Sequence, residues 1–168
     1  AQLWGSIIES ATPTAEPGLL MWDNITRNLP AHSYPEFKTK TTNPCGEIPL
    51  SSYDSCRLIS LNLKSLVKNS FDKNADFDFN KLKNVAAVGM RLSDDLVELE
   101  LEKLRSIQRV ADSDDEKELW NKLYAAASNG RRTGLGTHGL ADAIACLNLA
   151  YDSPEALVII EKIYRTLR

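Results

Sequence analysis

The sequence has few cysteines, no excess of basic residues and no long apolar run. Its three cysteines form no CxxC pair, which argues against a disulfide framework and against a zinc ribbon. The chain has 20 Lys and Arg residues and 23 Asp and Glu residues, which gives a formal net charge of -3. This charge does not favour a nucleic-acid polymer as partner. We expect no membrane span, because the apolar runs fall far short of the roughly 20 residues that a bilayer requires.

The two ends of the chain suggest where it resides and what it belongs to. The first residues, AQLWGSIIES, lack the basic start and long apolar core of a signal peptide, and unpaired cysteines favour a reducing, cytoplasmic setting. The length of 168 residues suits one domain or a piece of a larger one. The last stretch, SPEALVIIEKIYRTLR, is an amphipathic helix that reaches the final residue. We therefore expect a segment of a longer fold.

Helical periodicity dominates the chain. It predicts helices over residues 2–11 and 17–29, a long helix capped by Asn80, a helix capped by Ser113 or Asp114 and stopped at Asn129-Gly130, and helices over residues 139–149 and from Pro154 onward. The long helix is predicted to bury one seam, which consists of Leu82, Val85, Gly89, Leu92, Leu96 and Leu99.

The remaining pieces are extended. Residues 38 to about 59 are rich in Thr, Pro and Gly, Ser55–Leu63 is predicted as a strand that leads into a short helix, and Arg131–Thr137 as a strand or tight turn. The segment thus divides into a helical lead-in (1–37), an extended loop and strand (38–63), helices (80–130) and a strand or turn followed by helices (131–168). The unusual residues all lie in the extended pieces, where we expect the function.

The most unusual of these pieces is TTNPCGEIPLSSYDSC, residues 41–56. In an extended chain Asn43, Cys45 and Glu47 point to one face, roughly 7 Å apart in successive pairs. Pro44 fixes the backbone between them and Gly46 lets it turn. We therefore predict a rigid tip that presents an amide, a thiol and a carboxylate together.

Cys45 does not have the surroundings of a nucleophile. A thiolate needs a positive neighbour, whereas Glu47 is negative and disfavours the charged sulfur. The trio therefore favours a protonated thiol beside a base, which suits hydrogen-atom chemistry. Cys56, eleven residues further on, can supply reducing equivalents if the turn at residues 49–54 brings it back to the tip.

Three stretches resemble one family. The sequence TNPCGEIPL, with the cysteine of YDSC after it, resembles the finger loop of the ribonucleotide reductase catalytic subunit, and the NPCGE form is most similar to the adenosylcobalamin-dependent class. AQLWGSIIESATPTAEPGLLMWDNI is similar to the family's segment before that loop, and GRRTGLGTHGLAD resembles its later R-R-x-G-L-G-x-x-G-x-A-D segment. Their order and approximate spacing agree with the family, so the resemblance covers nearly the whole chain.

The resemblance implies a fold and four residue roles. The fold is a part of a ten-stranded α/β barrel, mainly helical in this segment, with the finger loop around residues 41–56. Cys45 matches the cysteine that becomes a thiyl radical and removes the ribose 3′-hydrogen, and Glu47 the carboxylate that takes the 3′-hydroxyl proton. Asn43 matches the amide that holds ribose hydroxyls. Cys56 matches one of two cysteines that reduce the substrate radical and end as a disulfide.

The resemblance also implies cofactors and partners. They are adenosylcobalamin, for which this chain offers no assignable ligand, a ribonucleotide substrate, a thioredoxin-like reductant, and the remainder of the reductase or a complementary subunit, with a homodimer as one arrangement. The partner of Cys56 and the family's phosphate-binding loops are expected outside these residues. The sequence departs from the family's C-N-L-G-S-I-N-L pattern at Arg57 and Ile59.

Other interpretations of the same residues stay open. The chain is alternatively a fragment of a class I reductase, a split-enzyme piece that needs a complement, or a non-catalytic helical interaction module. Cys146, among alanines and leucines, is expected to be a buried core residue. Arg131 and Arg132 are expected to form structural salt bridges. A metal site built from Cys45, Cys56, His32 and His138 matches no common zinc pattern, so we predict none.

Overall fold

A computed structural model describes residues 2–168; Ala1, the first residue of the predicted helical lead-in, lies outside them. The chain separates into two compact units, with the boundary between Ser52 and Tyr53. The first unit contains helices α1 (Gln2–Thr14) and α2 (Trp22–Asn28), two 3-10 turns, and the short strands β1 (Thr41–Thr42) and β2 (Pro49–Leu50). These two strands pair antiparallel.

Both helices of the first unit differ from their predicted bounds. α1 continues through Pro13, because the Thr14 hydroxyl donates to the Ser10 carbonyl at 2.7 Å and the Ala15 N–H donates to the Ala11 carbonyl at 2.9 Å. α2 begins five residues after Pro17, since the Gly18 N–H donates to the Glu16 carboxylate and a local turn forms there instead.

The second unit contains four short strands and four helices. The strands are β3 (Arg57–Asn62), β4 (Val67–Lys68), β5 (Asp76–Phe77) and β6 (Thr133–His138), and a 3-10 turn over Leu63–Leu66 follows β3. The helices are α3 (Phe79–Gln108), α4 (Asp114–Gly130), α5 (Leu140–Cys146) and α6 (Pro154–Leu167). The predicted strand with its short helix and the cap Ser113 are confirmed, and Ser153 caps α6. Asp78, not Asn80, caps α3, because its carboxylate accepts the Lys81 N–H at 2.9 Å.

A parallel strand pair forms the centre of the second unit. β3 and β6 pair in register from Arg57 opposite Thr133 to Asn62 opposite His138, and the connection between them includes α3 and α4, as a parallel pair requires a long crossover. The described residues contain no closed barrel, only three two-stranded sheets. The chain is mainly helical, as expected.

The seam that α3 buries is not the predicted one. Leu82 and Gly89 are buried as predicted, but Val85, Leu92, Leu96 and Leu99 are exposed. The buried positions are Leu82, Ala86, Gly89, Ser93, Val97, Leu101 and Leu104. The reason is close approach: a Cβ on Gly89 would lie 3.0 Å from Leu135 Cδ1 and 3.6 Å from Leu61 Cδ2. Small residues therefore face the sheet around Gly89, and Leu92, Leu96 and Leu99 lie beside the buried stripe.

Candidate active site

The tip of the first unit is a six-residue loop between β1 and β2. The Asn43 N–H donates to the Ile48 carbonyl at 3.2 Å, and the Ile48 N–H donates to Asn43 Oδ1 at 2.9 Å. The backbone and the side chain of Asn43 thus both bond to Ile48, and these two hydrogen bonds close the base of the loop. The residues between them, 44–47, form the tip.

The tip is a turn and not an extended strand, so the predicted alternation of side chains over residues 43–47 is wrong. The Gly46 N–H donates to the Asn43 carbonyl at 3.0 Å, which reverses the chain within four residues. Asparagine first, proline second and glycine fourth are the residues that a type I turn prefers. Gly46 has φ +82°, a left-handed conformation that favours glycine, and a Cβ there would lie 3.3 Å from Leu20 Cδ2.

The turn determines how each predicted site residue is presented. Cys45 is at the third position of the turn and is exposed. Glu47 follows the turn and is also exposed, while Asn43 is half-buried. The structure therefore places the amide, the thiol and the carboxylate on one short loop. The loop presents them through a turn and not through the extended chain that the sequence predicted.

Two substitutions at Asn43 separate its role in holding the loop from its role as a hydrogen-bond donor. Asn43→Ala removes the acceptor for the Ile48 N–H, a bond worth about 1 kcal/mol, so exchange of the Ile48 amide hydrogen should accelerate about fivefold. Asn43→Asp keeps an oxygen at that place and should retain the protection, while it loses the amide N–H donors. Hydrogen exchange followed by NMR measures both variants. Equal protection in Asn43→Ala and in the unmodified chain would show that the side chain does not hold the loop.

Cys56 lies in the second unit, directly before β3, and is half-buried. Its sulfur faces Gly134 on β6: a Cβ at Gly134 would lie 3.8 Å from Cys56 Sγ and 2.7 Å from Leu58 Cδ2. Glycine at this point of the sheet leaves room for the Leu58 side chain as it lies here. Cys56 and Leu58 therefore share one face of the strand pair.

That face carries a groove. Ile59, Leu61 and Leu135 lie on the side of the sheet that packs on Gly89 of α3, whereas Leu58 on the other side is 60% exposed. The groove has a volume of about 360 Å³ and is lined by Leu58, Ile59, Ser60, Gly134, Leu135, Gly136 and Thr137. The glycines of β6 leave this space open, and Cys56 lies next to its Gly134 end.

Two ion pairs flank Cys56. Asp54 pairs with Arg132, with side chains 1% and 16% exposed. Arg57 pairs with Glu100, and its side chain is 10% exposed. Burial raises the pKa of the Cys56 thiol above its ordinary value, Arg57 and Arg132 act to lower that pKa, and Asp54 acts to raise it.

The sequence predicted the salt bridges of the arginine pair but not their partners. Arg131 binds Asp94 and Glu98 of α3, with its Nη1 2.5 Å from Glu98 Oε1, and Arg132 binds Asp54, so the prediction for both arginines is confirmed. Asp54 and Glu100 were missed as neighbours of Cys56. Nothing local marks these two carboxylates, and Arg57 was noted only as a departure from the family pattern; a guanidinium that becomes buried requires a carboxylate nearby.

The remaining cysteine and the histidines have local partners. Cys146 is 2% exposed, which confirms it as a core residue. His32 Nδ1 accepts the Thr39 N–H at 3.1 Å, and His138 Nδ1 lies 2.9 Å from Ser60 Oγ. Within residues 2–168 no three His, Cys, Asp or Glu side chains are grouped so that they would hold a metal ion.

The geometry can be compared with known proteins. The model of the ribonucleotide reductase barrel domain matches residues 1–168, the whole chain. The chain belongs to the ribonucleotide reductase family. The reductase interpretation of the sequence is thereby confirmed at the level of the family and of its barrel domain.

Individual relatives agree with this assignment. The vitamin B12-dependent ribonucleoside-diphosphate reductase of Mycobacterium tuberculosis is 32% identical over all 168 residues, which are 21% of that protein. The protein of the same name from Thermoplasma acidophilum is 34% identical over 96% of this chain and 18% of its own. The ribonucleoside-diphosphate reductase large subunit of variola virus is 30% identical over 98% of this chain and 19% of its own. The chain thus spans about a fifth of the length of these reductases.

The groove beside Cys56 is not by itself a site for a corrin cofactor. The groove beside Cys56 holds about 360 Å³, near the lower end of what a drug-sized ligand occupies, and no imidazole lines it. Of residues 2–168, no helix combines the length and the apolar character that crossing a membrane requires.

Proposed function

We propose that this chain carries the radical cysteine of a ribonucleotide reductase and reduces ribonucleotides to deoxyribonucleotides as part of the whole enzyme. The observation that supports this best is the tip turn, which holds an exposed Cys45 one residue from Gly46 and two from the exposed carboxylate of Glu47. A thiol that must reach a substrate carbon has to stand at an accessible, fixed point of the backbone.

Each residue has one task in the proposed reaction. Cys45, as a thiyl radical, takes the hydrogen from C3′ of the ribose and becomes a thiol. Glu47 accepts the proton of the 3′-hydroxyl, and the amide of Asn43 donates to the ribose hydroxyls through the N–H groups that the loop does not use. When the reaction ends, Cys45 returns its hydrogen to C3′ and is again a thiyl radical, and Glu47 returns the proton to the 3′-oxygen, so both groups are regenerated.

The reduction itself needs two thiols. One ribonucleotide and two thiols give one deoxyribonucleotide, one water and one disulfide. Two S–H bonds and the 2′ C–O bond break, while an S–S bond, a C–H bond at C2′ and an O–H bond of the released water form. Cys56 supplies one of the thiols, and the second comes from outside the 168 residues. Cys146 cannot serve, because it is buried in the core of the second unit.

We also propose the B12-dependent class, a barrel of ten strands in the whole enzyme and a dithiol protein of the thioredoxin kind as reductant. Names of the relatives support the cofactor: two that are 32% and 34% identical are called vitamin B12-dependent, whereas the viral large subunit at 30% is not. A class I enzyme with a separate radical-generating subunit is the second candidate, favoured by that viral relative. Activity of the assembled reductase with adenosylcobalamin and a dithiol, compared with activity after addition of such a subunit, decides between them.

The 168 residues alone are expected to form no deoxyribonucleotide. The physical reason is that two electrons have to come from a thiol pair, of which this chain supplies only Cys56. Product formation from a labelled ribonucleoside di- or triphosphate, with cobalamin and dithiothreitol, measures this. Turnover by the isolated chain would contradict the proposed pairing of Cys56, whereas turnover only after a complementary piece is added would support it.

A further inference from the structure

The two arginines next to Cys56 pose a chemical problem for its proposed role. Guanidinium groups beside a cysteine ordinarily favour the thiolate. A thiolate has no S–H bond, so it cannot give a hydrogen to a substrate radical. Arg57 follows Cys56 directly, and the carbonyl of Arg132 accepts the Arg57 N–H at 3.3 Å, so both arginines are held at this place by the strand pairing.

Each arginine has its own carboxylate partner. Asp54, which is almost fully buried, binds Arg132, and its Oδ1 also accepts the Ser55 N–H at 2.9 Å. Glu100 reaches from α3 to Arg57, and its Oε1 lies 3.3 Å from Ser55 Oγ. The backbone on both sides of Cys56 is thereby tied to two elements distant in sequence, and the local charge sums to zero.

We propose that Asp54 and Glu100 are positioning residues that neutralise the two arginines beside Cys56 and so keep its sulfur in the hydrogen-donating thiol form. The inference rests on the proposed reductant role of Cys56. Arg57 departs from the family pattern quoted above, so on this proposal Glu100 compensates for an additional positive charge that this chain carries. The charged groups that act on the sulfur are Asp54, Arg57 and Arg132. Asp54 and Arg131 also act on Arg57, and Glu100 acts through its ion pair with Arg57.

The rate of alkylation of Cys56 by iodoacetamide tests this, because only the thiolate reacts. Peptide mass spectrometry of the folded chain, at several pH values, counts Cys56 separately from Cys45. Asp54→Asn and Glu100→Gln each leave an arginine unneutralised and should accelerate alkylation about threefold near pH 8, since a greater thiolate fraction outweighs its lower intrinsic reactivity. Arg132→Gln should slow alkylation.

The alkylation rate should change in opposite directions when a carboxylate and when an arginine is replaced, and this distinguishes an effect of charge from an effect of packing. Loosening of the segment would expose the thiol and accelerate alkylation in all three variants, and that result would overturn the proposal. Unchanged rates in both Asp54→Asn and Glu100→Gln would overturn it too. Glu98→Gln is the matched control: it makes the same chemical change on the same helix at the exposed partner of Arg131 and should leave the rate unchanged.

The experiment remains decisive if one variant does not fold, and its result is independent of the proposed function. If Asp54→Asn does not fold, as far-UV circular dichroism would show, Glu100→Gln decides, since Glu100 is 34% exposed and its replacement perturbs the core less. The alkylation rate does not depend on turnover, and turnover of the assembled reductase is measured separately. An inactive reductase whose Cys56 responds as expected counts against the proposed function only. Normal turnover with an unresponsive Cys56 counts against the charge neutralisation only.

Discussion

Replacement of Cys45 by serine is expected to abolish deoxyribonucleotide formation by the assembled reductase, with a loss of at least about a thousandfold. Serine keeps nearly the shape of the side chain and leaves the turn bond between Asn43 and Gly46 untouched. An O–H bond is much stronger than an S–H bond, so a hydroxyl cannot take over the exchange of hydrogen with a ribose carbon. Product analysis of the variant and of the unmodified enzyme, at equal concentration, measures the loss.

The cysteine of the core provides the comparison. Cys146→Ala removes a thiol from a residue that is 2% exposed and should lower stability without removing turnover, which is measured at a temperature where the variant is folded. Full activity of Cys45→Ser would refute the radical role. Loss of activity in both variants alike would indicate a general sensitivity to cysteine replacement, which also contradicts a specific role for Cys45.

The elements that could be predicted from the sequence are those with local causes. Ser113 and Ser153 each cap a helix through a bond to an N–H three residues later, so their signal lies within four residues. The strand before Leu63 is marked by branched and alternating side chains. The tip turn also has a local signal, because Asn, Pro and Gly occupy the positions that a type I turn prefers. The alternation of polar residues favours an extended chain instead, and that prediction is wrong.

The neighbours of Cys56 could not be predicted, because their cause is not local. Asp54 and Arg132 are 78 residues apart, and Ser55 and Glu100 are 45 apart. Any of the 23 acidic residues satisfies Arg132 equally well on the sequence alone. Only the parallel pairing of β3 with β6 and the position of α3 select the carboxylates that meet the arginines, and this selection decides the charge around the sulfur.

The prediction of the buried stripe of α3 is wrong for a related reason. Hydrophobicity alone selects the leucine face of the helix, whereas the distance to the sheet determines which face is buried. Leu82→Ala and Leu92→Ala, the same change on the same helix, test this. Leu82 is 0% exposed and its truncation leaves a cavity, so the free energy of unfolding should fall by about 2–5 kcal/mol. Leu92 is 51% exposed, and its replacement should cost less than about 1 kcal/mol, since alanine and leucine have similar helix propensities.

Urea unfolding of the chain, followed by circular dichroism at 222 nm, gives both values under the same conditions. Equal losses for Leu82→Ala and Leu92→Ala would mean that α3 buries the leucine seam that its sequence suggested, and that it lies on the sheet with another face. Because α3 also carries Glu100, such a rotation would take that carboxylate away from Arg57. Glu100 reaches Arg57 only if the face of α3 that packs Gly89 against Leu135 is the buried one. The stability of the two leucine variants therefore tests the charge balance at Cys56 as well.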